Sequence, residues 1–85
     1  MTKKVTIYTK ENCPYCVMAK NLLSAHHIAF EETRVDQDDS KLAEMVRLSN
    51  RRSVPQIFIN DRPIGGYDDL VALIKAGKLD QLIKQ

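Results

Sequence analysis

The sequence predicts an α/β fold, in which a four-stranded mixed β-sheet is flanked by helices. Residues 5–35 follow a strand–helix–strand pattern, and two strands joined through a helix form a right-handed parallel crossover. Residues 56–65 follow the pattern of an antiparallel hairpin, with a helical pattern after it. The chain has 85 residues, of which 44% are hydrophobic and 28% charged. That length supports one hydrophobic core and not two, so we expect a single domain over residues 1–85.

The first half of the chain predicts two strands separated by a polar turn and an amphipathic helix. Val5–Thr9 alternates as a strand does, and Asn12 is the predicted N-cap of the following helix. Pro14 suits the first helical turn, where its missing N–H group costs nothing. A second strand is predicted over residues 28–35. Helical spacing predicts one apolar stripe on this helix, formed by Tyr15, Met18, Ala19, Leu22 and Leu23. Met18 is predicted to lie in the core.

The second half predicts two more strands and three helices. The polar residues 36–40 cap a helix that residues 50–53 end. Gln56–Ile59 and Arg62–Gly65 are predicted to pair through a two-residue turn. A third helix follows and stops at Gly77, and Leu79–Ile83 makes a short amphipathic end. The residues predicted to face inward from these helices are Leu42, Met45, Val46, Ser49, Leu70, Leu73 and Ile74.

Charge and hydropathy argue against several classes of function. The formal net charge is +2, and the basic residues are scattered along the chain, so we expect no nucleic-acid surface. No apolar run approaches the roughly 20 residues that a membrane span requires. The basic residues 3–4 precede a strand pattern and not the apolar region of a signal peptide. We therefore expect a cytoplasmic protein that does not act at a membrane.

The only two cysteines, Cys13 and Cys16, lie three residues apart after a strand and at the start of a helix. A structural disulfide here would close a loop of about four residues and would stabilise the fold by roughly 2 kcal/mol before strain is subtracted. Stabilisation of the fold is therefore a poor explanation for this cysteine pair. A helix N-terminus stabilises the thiolate of Cys13, and this context makes the pair a redox motif. A zinc site needs about four ligands, and His26 and His27 cannot both converge here, so we expect no metal.

Three segments together resemble the signatures of the glutaredoxin family. They are Lys10 ahead of the Cys-Pro-Tyr-Cys motif at 13–16, the Ser-Val-Pro motif at 53–55, and the Gly-Gly-Tyr-Asp-Asp motif at 65–69. The resemblance covers essentially the whole chain. It implies a thioredoxin fold with strand order 2-1-3-4. It also implies a glutathione-dependent thiol–disulfide oxidoreductase, with Cys13 as nucleophile and Cys16 as resolving thiol.

The resemblance further implies charged contacts with glutathione, which acts as co-substrate. Lys10 and Arg51 would hold its glycine carboxylate, and both cations would favour the nearby thiolate. The sequence does not distinguish Arg51 from its neighbour Arg52 in this role. Asp68 would take the ammonium group of glutathione. Asp69 is the weaker candidate for that contact.

Backbone groups complete the implied groove. The resemblance implies a cis peptide bond before Pro55, which would present the backbone of Val54 to the cysteine of glutathione as a short antiparallel bridge. Gly66 would leave the N–H groups of the next two residues free for the γ-glutamyl carboxylate. The other groove residues are Tyr15 as a wall, Tyr67 at the rim, and Ser53 where the family commonly has Thr.

Two other functions stay open at this point. One is an iron–sulfur carrier that uses Cys13 and glutathione as ligands, and Pro14 argues against it because cluster binding in the family goes with Gly or Ser there. The other is an electron donor that thioredoxin reductase reduces and that lacks a glutathione groove. Lys10, Arg51 and Asp68 argue against this second function. As partners we expect glutathione and proteins with disulfides or bound glutathione. Ribonucleotide reductase is one family-level candidate, and the chain is expected to be a monomer.

Overall fold

The computed structural model describes residues 3–83, which form four strands and four helices. In this part of the chain no helix is long and apolar enough to cross a membrane. The elements in chain order are β1 (Val5–Thr9), α1 (Pro14–Ala25), β2 (Glu31–Arg34), α2 (Asp39–Ser49), β3 (Gln56–Ile59), β4 (Arg62–Gly65), α3 (Tyr67–Lys75) and α4 (Leu79–Ile83).

The strands form one mixed sheet in the order β2-β1-β3-β4. Residues 6–9 of β1 pair in parallel with Glu31–Arg34, which confirms the predicted crossover through α1. Strand β3 runs antiparallel to both β1 and β4, with Ile7 opposite Ile57. The predicted architecture and strand order are confirmed.

Hydrophobic clusters cover both faces of the sheet, because successive strand residues point to opposite sides. On one face, Ile7 and Ile57 pack with Leu23 of α1 and Leu70 of α3. On the other face, Tyr8 and Phe58 lie edge to face, with ring centroids 5.2 Å apart. Met45 of α2 and Val35 complete that second cluster. The sheet is therefore the middle of three layers.

Helix α1 begins one residue later than predicted, and its N-cap is Cys13 and not Asn12. The reason is Pro14 at the first helical position. The ring of a proline clashes with a preceding residue in helical conformation, so Cys13 is extended, with φ −113° and ψ 100°. The residue just before the helix is therefore the cysteine itself.

Strand β2 is shorter than predicted, and one predicted core residue is exposed. Only Glu31–Arg34 of residues 28–35 pair with β1. Met18 has 43% of its surface exposed, so its prediction as core is wrong. Buried residues of α1 are Cys16, Ala19 and Leu23, and helical geometry of about 100° per residue turns Met18 away from that line.

We predict that Leu23→Ala lowers the free energy of unfolding by about 2–5 kcal/mol, because it empties a fully buried site. The matched variant Met18→Ala, on the exposed side of the same helix, should cost about 0.5 kcal/mol. Urea denaturation of both variants measures the difference. Equal losses would contradict the placement of Met18 outside the core.

Candidate active site

The turn that carries Cys13 is tied to the chain just beyond β2. Asn12 has a left-handed φ of 59°, which redirects the backbone before the extended Cys13. The N–H of Glu11 donates to the Asp36 carboxylate at 3.1 Å. Arg34 donates to the same carboxylate at 2.7 Å, and this hydrogen bond is the main reason that the pKa of Asp36 falls to about 2. The first cysteine therefore sits at a braced junction of two segments.

The sulfur of Cys13 acts as the cap of α1. It accepts the backbone N–H of Cys16 at 3.2 Å, and as a thiol it donates to the Val54 carbonyl oxygen at 3.8 Å. Both cysteines are free. An N–H donor and the positive end of the helix dipole both stabilise negative charge on this sulfur. The Cys13 sulfur therefore lies at the N-terminus of α1, within hydrogen-bond distance of a backbone N–H donor.

Cys16 lies in a different environment. It is 2% exposed, against 9% for Cys13. Burial first, and the hydrogen bond with Cys13 second, raise the pKa of the Cys16 thiol to about 12. At neutral pH this thiol is protonated and shielded, so the two sulfurs are suited to different steps.

A groove of about 300 Å³ opens beside the cysteines, between α1 and the N-terminus of α3. We call it the α3 groove. It brings together the aromatic rings of Tyr15 and Tyr67, whose centroids are 5.8 Å apart. The Val54–Pro55 peptide bond in it is cis, as predicted. Its lining residues are Tyr15, Arg51, Ser53, Val54, Pro55, Gln56, Gly66, Tyr67, Asp68 and Asp69.

Lys10 lies in a second depression, of about 500 Å³, together with both cysteines. We call it the cysteine depression. It adjoins the α3 groove through the contact between Cys13 and Val54. The structure therefore places every predicted groove residue except Lys10 in the α3 groove, and Lys10 lines the adjoining cysteine depression.

Of the two neighbouring arginines, Arg51 lines the α3 groove and Arg52 does not. Its Nη1 lies 3.4 Å from Oδ2 of Asp69. Of the two arginines that the sequence left open, Arg51 is thus the one that lines the groove.

The start of α3 depends on Gly65 and Asp69. Oδ2 of Asp69 accepts the N–H of Gly66 at 2.9 Å and so caps the helix. Gly65 has a φ of +119°, and a Cβ there would collide with the Asp69 carboxylate. The N–H groups of Tyr67 and Asp68 fall in the first turn, where a helix offers them no internal partner.

Three features of the site were missed by the sequence reasoning, two of them in the α3 groove. One is the capping role of Asp69, which its spacing of three residues from Gly66 could have indicated. The other is Gln56, which is buried and donates through Nε2 to the Ser53 carbonyl at 3.0 Å. No local sequence pattern would have found that contact.

A third missed feature is a charged cluster in the cysteine depression. Glu32 accepts from the hydroxyl of Thr9 at 2.7 Å and from Lys20 at 2.9 Å. Both bonds, the first more strongly, lower the pKa of Glu32. Lys20 is also close enough to Cys16 to oppose the rise in its pKa.

Other possible sites are less suited to chemistry. A larger depression, of about 660 Å³, lies around His26, Phe30 and Ile83 and contains neither cysteine, so volume alone does not mark the site. Among residues 3–83, no group of three or more His, Cys, Asp or Glu side chains is arranged to hold a metal ion.

Comparison with known proteins gives consistent matches over nearly the whole chain. The family model described as glutaredoxin matches residues 5–64. Over 80 residues the chain is 52% identical to glutaredoxin 3 of Escherichia coli K12, and the match covers 94% of this chain and 96% of that protein. A glutaredoxin of Neisseria meningitidis serogroup A is 50% identical over 80 residues, with 93% and 94% covered.

Two solved structures are similar in fold. The solution structure of glutaredoxin from Brucella melitensis has a TM-score of 0.86 and 44% identity, covering 98% of this chain and 90% of that one. The crystal structure of a buckwheat glutaredoxin–glutathione complex also has a TM-score of 0.86, with 26% identity, and covers 96% and 77% of the two chains.

We predict that iodoacetamide at pH 6 labels Cys13 much faster than Cys16. Burial raises the pKa of the Cys16 thiol to about 12, so at that pH the thiol is protonated as well as shielded from the reagent. Mass spectrometry of digested protein measures the two rates. Cys16→Ser should keep the fast labelling and Cys13→Ser should abolish it, whereas equal rates in the unmodified chain would sink the distinction between the two thiols.

Proposed function

The chain belongs to the glutaredoxin family, and we propose that it reduces glutathione mixed disulfides and protein disulfides through Cys13 and Cys16 in a single domain. Glutaredoxins are thiol–disulfide oxidoreductases, and this chain is one. The observation that carries the assignment to these two residues is the position of the Cys13 sulfur. It caps α1, 3.2 Å from the Cys16 nitrogen, where the α3 groove meets the cysteine depression.

In the proposed reaction with a glutathionylated substrate, the Cys13 thiolate attacks the glutathione sulfur. The substrate's S–S bond breaks, the substrate leaves as a thiolate and takes a proton, and Cys13 is left in a mixed disulfide with glutathione. A second glutathione thiolate then attacks the glutathione sulfur of that mixed disulfide. Glutathione disulfide forms and Cys13 returns as a thiolate, which the cap of α1 stabilises.

With a protein disulfide, Cys13 instead forms a mixed disulfide with one sulfur of the protein. Cys16 then loses its proton and attacks the sulfur of Cys13, so that a Cys13–Cys16 disulfide forms and the protein leaves as a dithiol. Two glutathione molecules restore the dithiol. The buried, protonated Cys16 is suited to this second step, because it does not compete with Cys13 for the first.

The α3 groove supports a specific placement of glutathione. Lys10 and Arg51 would bind its glycine carboxylate, Lys10 from the cysteine depression and Arg51 from the groove. The backbone of Val54 would pair with the cysteine moiety. The N–H groups of Tyr67 and Asp68 would bind the γ-glutamyl carboxylate, and the Asp68 side chain the ammonium.

The remaining groove residues give the ligand its walls. Tyr15 and Tyr67 form an aromatic side, while Ser53, Pro55 and Gly66 bring the backbone close to the ligand. The buckwheat protein whose structure is similar was solved as a glutathione complex, which supports a glutathione site on this fold.

The proposal extends to the partners. We place the chain in the cytoplasm, as a monomer that acts on glutathionylated or disulfide-bearing proteins, with ribonucleotide reductase as one family-level candidate. The family match favours this function over an iron–sulfur carrier or an electron donor served by thioredoxin reductase.

We predict that Cys16→Ser keeps most of the activity on a small glutathione mixed disulfide and loses most of it on a protein disulfide. The first reaction needs only Cys13 and a second glutathione, whereas the second needs a resolving thiol. The assay couples glutathione disulfide formation to glutathione reductase. The unmodified chain must be active on both substrates, and a variant that lost both activities would show a different role for Cys16.

We also predict that Lys10→Ala, Arg51→Ala and Asp68→Asn each weaken glutathione use about 2- to 12-fold. Each removes one exposed contact worth roughly 0.5–1.5 kcal/mol. In the same coupled assay, each substitution should appear as an increase in KM for glutathione. The matched control is Arg52→Ala, which removes the same charge outside the α3 groove and should leave KM unchanged; an equal effect of Arg51→Ala and Arg52→Ala would reduce both to general surface charge.

A further inference from the structure

The ion pair between Arg51 and Asp69 lies across the α3 groove, where the proposed ligand would bind. Arg51 Nη1 is 3.4 Å from Asp69 Oδ2, and the same oxygen accepts the Gly66 N–H at 2.9 Å. If the function proposed above holds, Arg51 would exchange this contact, wholly or in part, for one with a carboxylate of the ligand.

The backbone of Arg51 is held in place, so that exchange requires only a movement of its side chain. The Arg51 N–H donates to the Ser49 hydroxyl oxygen at 3.1 Å, and that hydroxyl donates to the Met45 carbonyl at 2.6 Å. The preceding Asn50 ends α2 in a left-handed conformation. The Arg51 side chain itself is 55% exposed and has one long contact with Asp69, so it is free to rotate.

Asp69, in contrast, is fixed. Its carboxylate caps α3 and occupies the space that Gly65 leaves by having no Cβ. It therefore presents a permanent negative charge to Arg51, and this charge does not depend on whether a ligand is present.

We propose that Asp69 competes with the ligand carboxylate for Arg51 and thereby lowers the affinity of the groove for that carboxylate. The cap of α3 holds the Asp69 oxygen beside Arg51, so a ligand carboxylate has to share or displace this ion pair. Asp69 acts on the ligand through Arg51, as a positioning residue and not a ligand contact.

The test variant is Asp69→Asn, which removes the charge and keeps an amide oxygen that can accept the Gly66 N–H. The measured quantity is KM for a glutathionylated peptide in the coupled assay. We expect KM to fall about 1.5- to 5-fold, the range that a single exposed ion pair allows, with kcat unchanged. Asp69→Ser, which also retains an oxygen acceptor, should give the same change if the asparagine variant folds poorly.

The control is the same substitution in an Arg51→Gln background, where Asp69 has no arginine to hold. There Asp69→Asn should leave KM unchanged. An equal fall in both backgrounds would mean that Asp69 acts only through the general field of the groove, and a rise in KM would mean that Asp69 binds the ligand itself. Either result overturns the proposal.

A second substrate separates the ligand carboxylates. A peptide mixed disulfide with γ-glutamylcysteine lacks the glycine carboxylate proposed for Arg51, so Asp69→Asn should not lower its KM. An equal gain with both substrates would overturn the assignment of that carboxylate to Arg51. Failure of the proposed function would be seen differently, because the unmodified chain would then not turn over the glutathionylated peptide at all.

Discussion

The hydrogen bond from the Cys16 backbone N–H to the Cys13 sulfur is the interaction on which the site depends. It exists because Pro14 forces Cys13 out of the helical conformation, so that the cysteine itself becomes the cap of α1. The reactive sulfur therefore satisfies a helix N–H group that would otherwise need a separate partner. The same bond places the sulfur next to the Val54 carbonyl and at the junction of the two depressions.

Burial makes the two cysteine side chains differ in reactivity, although they are chemically identical. Cys13 lies at the helix end and keeps 9% of its surface exposed, while Cys16 joins Ala19 and Leu23 on the buried side of α1. Burial raises the pKa of the Cys16 thiol to about 12, so an incoming disulfide meets only one nucleophile. The packing of α1 on the sheet thus stabilises the fold and, in the proposed reaction, would also set the order of the two chemical steps.

The α3 groove shows a second case of one side chain with two consequences. Asp69 caps α3 and so prepares the N–H groups of the first turn for an anion. The same oxygen holds Arg51, a cation that the proposed ligand would use. In the proposed function, the carboxylate that helps to build the anion site would therefore also compete with the anion, at a limited cost because the ion pair is exposed.

The sequence by itself determined the order of elements, the crossover through α1, the dithiol and the groove motifs, because each is encoded in residues close together along the chain. It did not determine the length of β2, or the exposure of Met18, which depends on how α1 is rotated on the sheet. Only the tertiary structure brought Arg51 to Asp69, 18 residues away. Only it placed Glu32 beside Thr9 and Lys20 in the cysteine depression. Such contacts join separate elements, and the relative positions of those elements are set by packing against the common sheet, which no local pattern records.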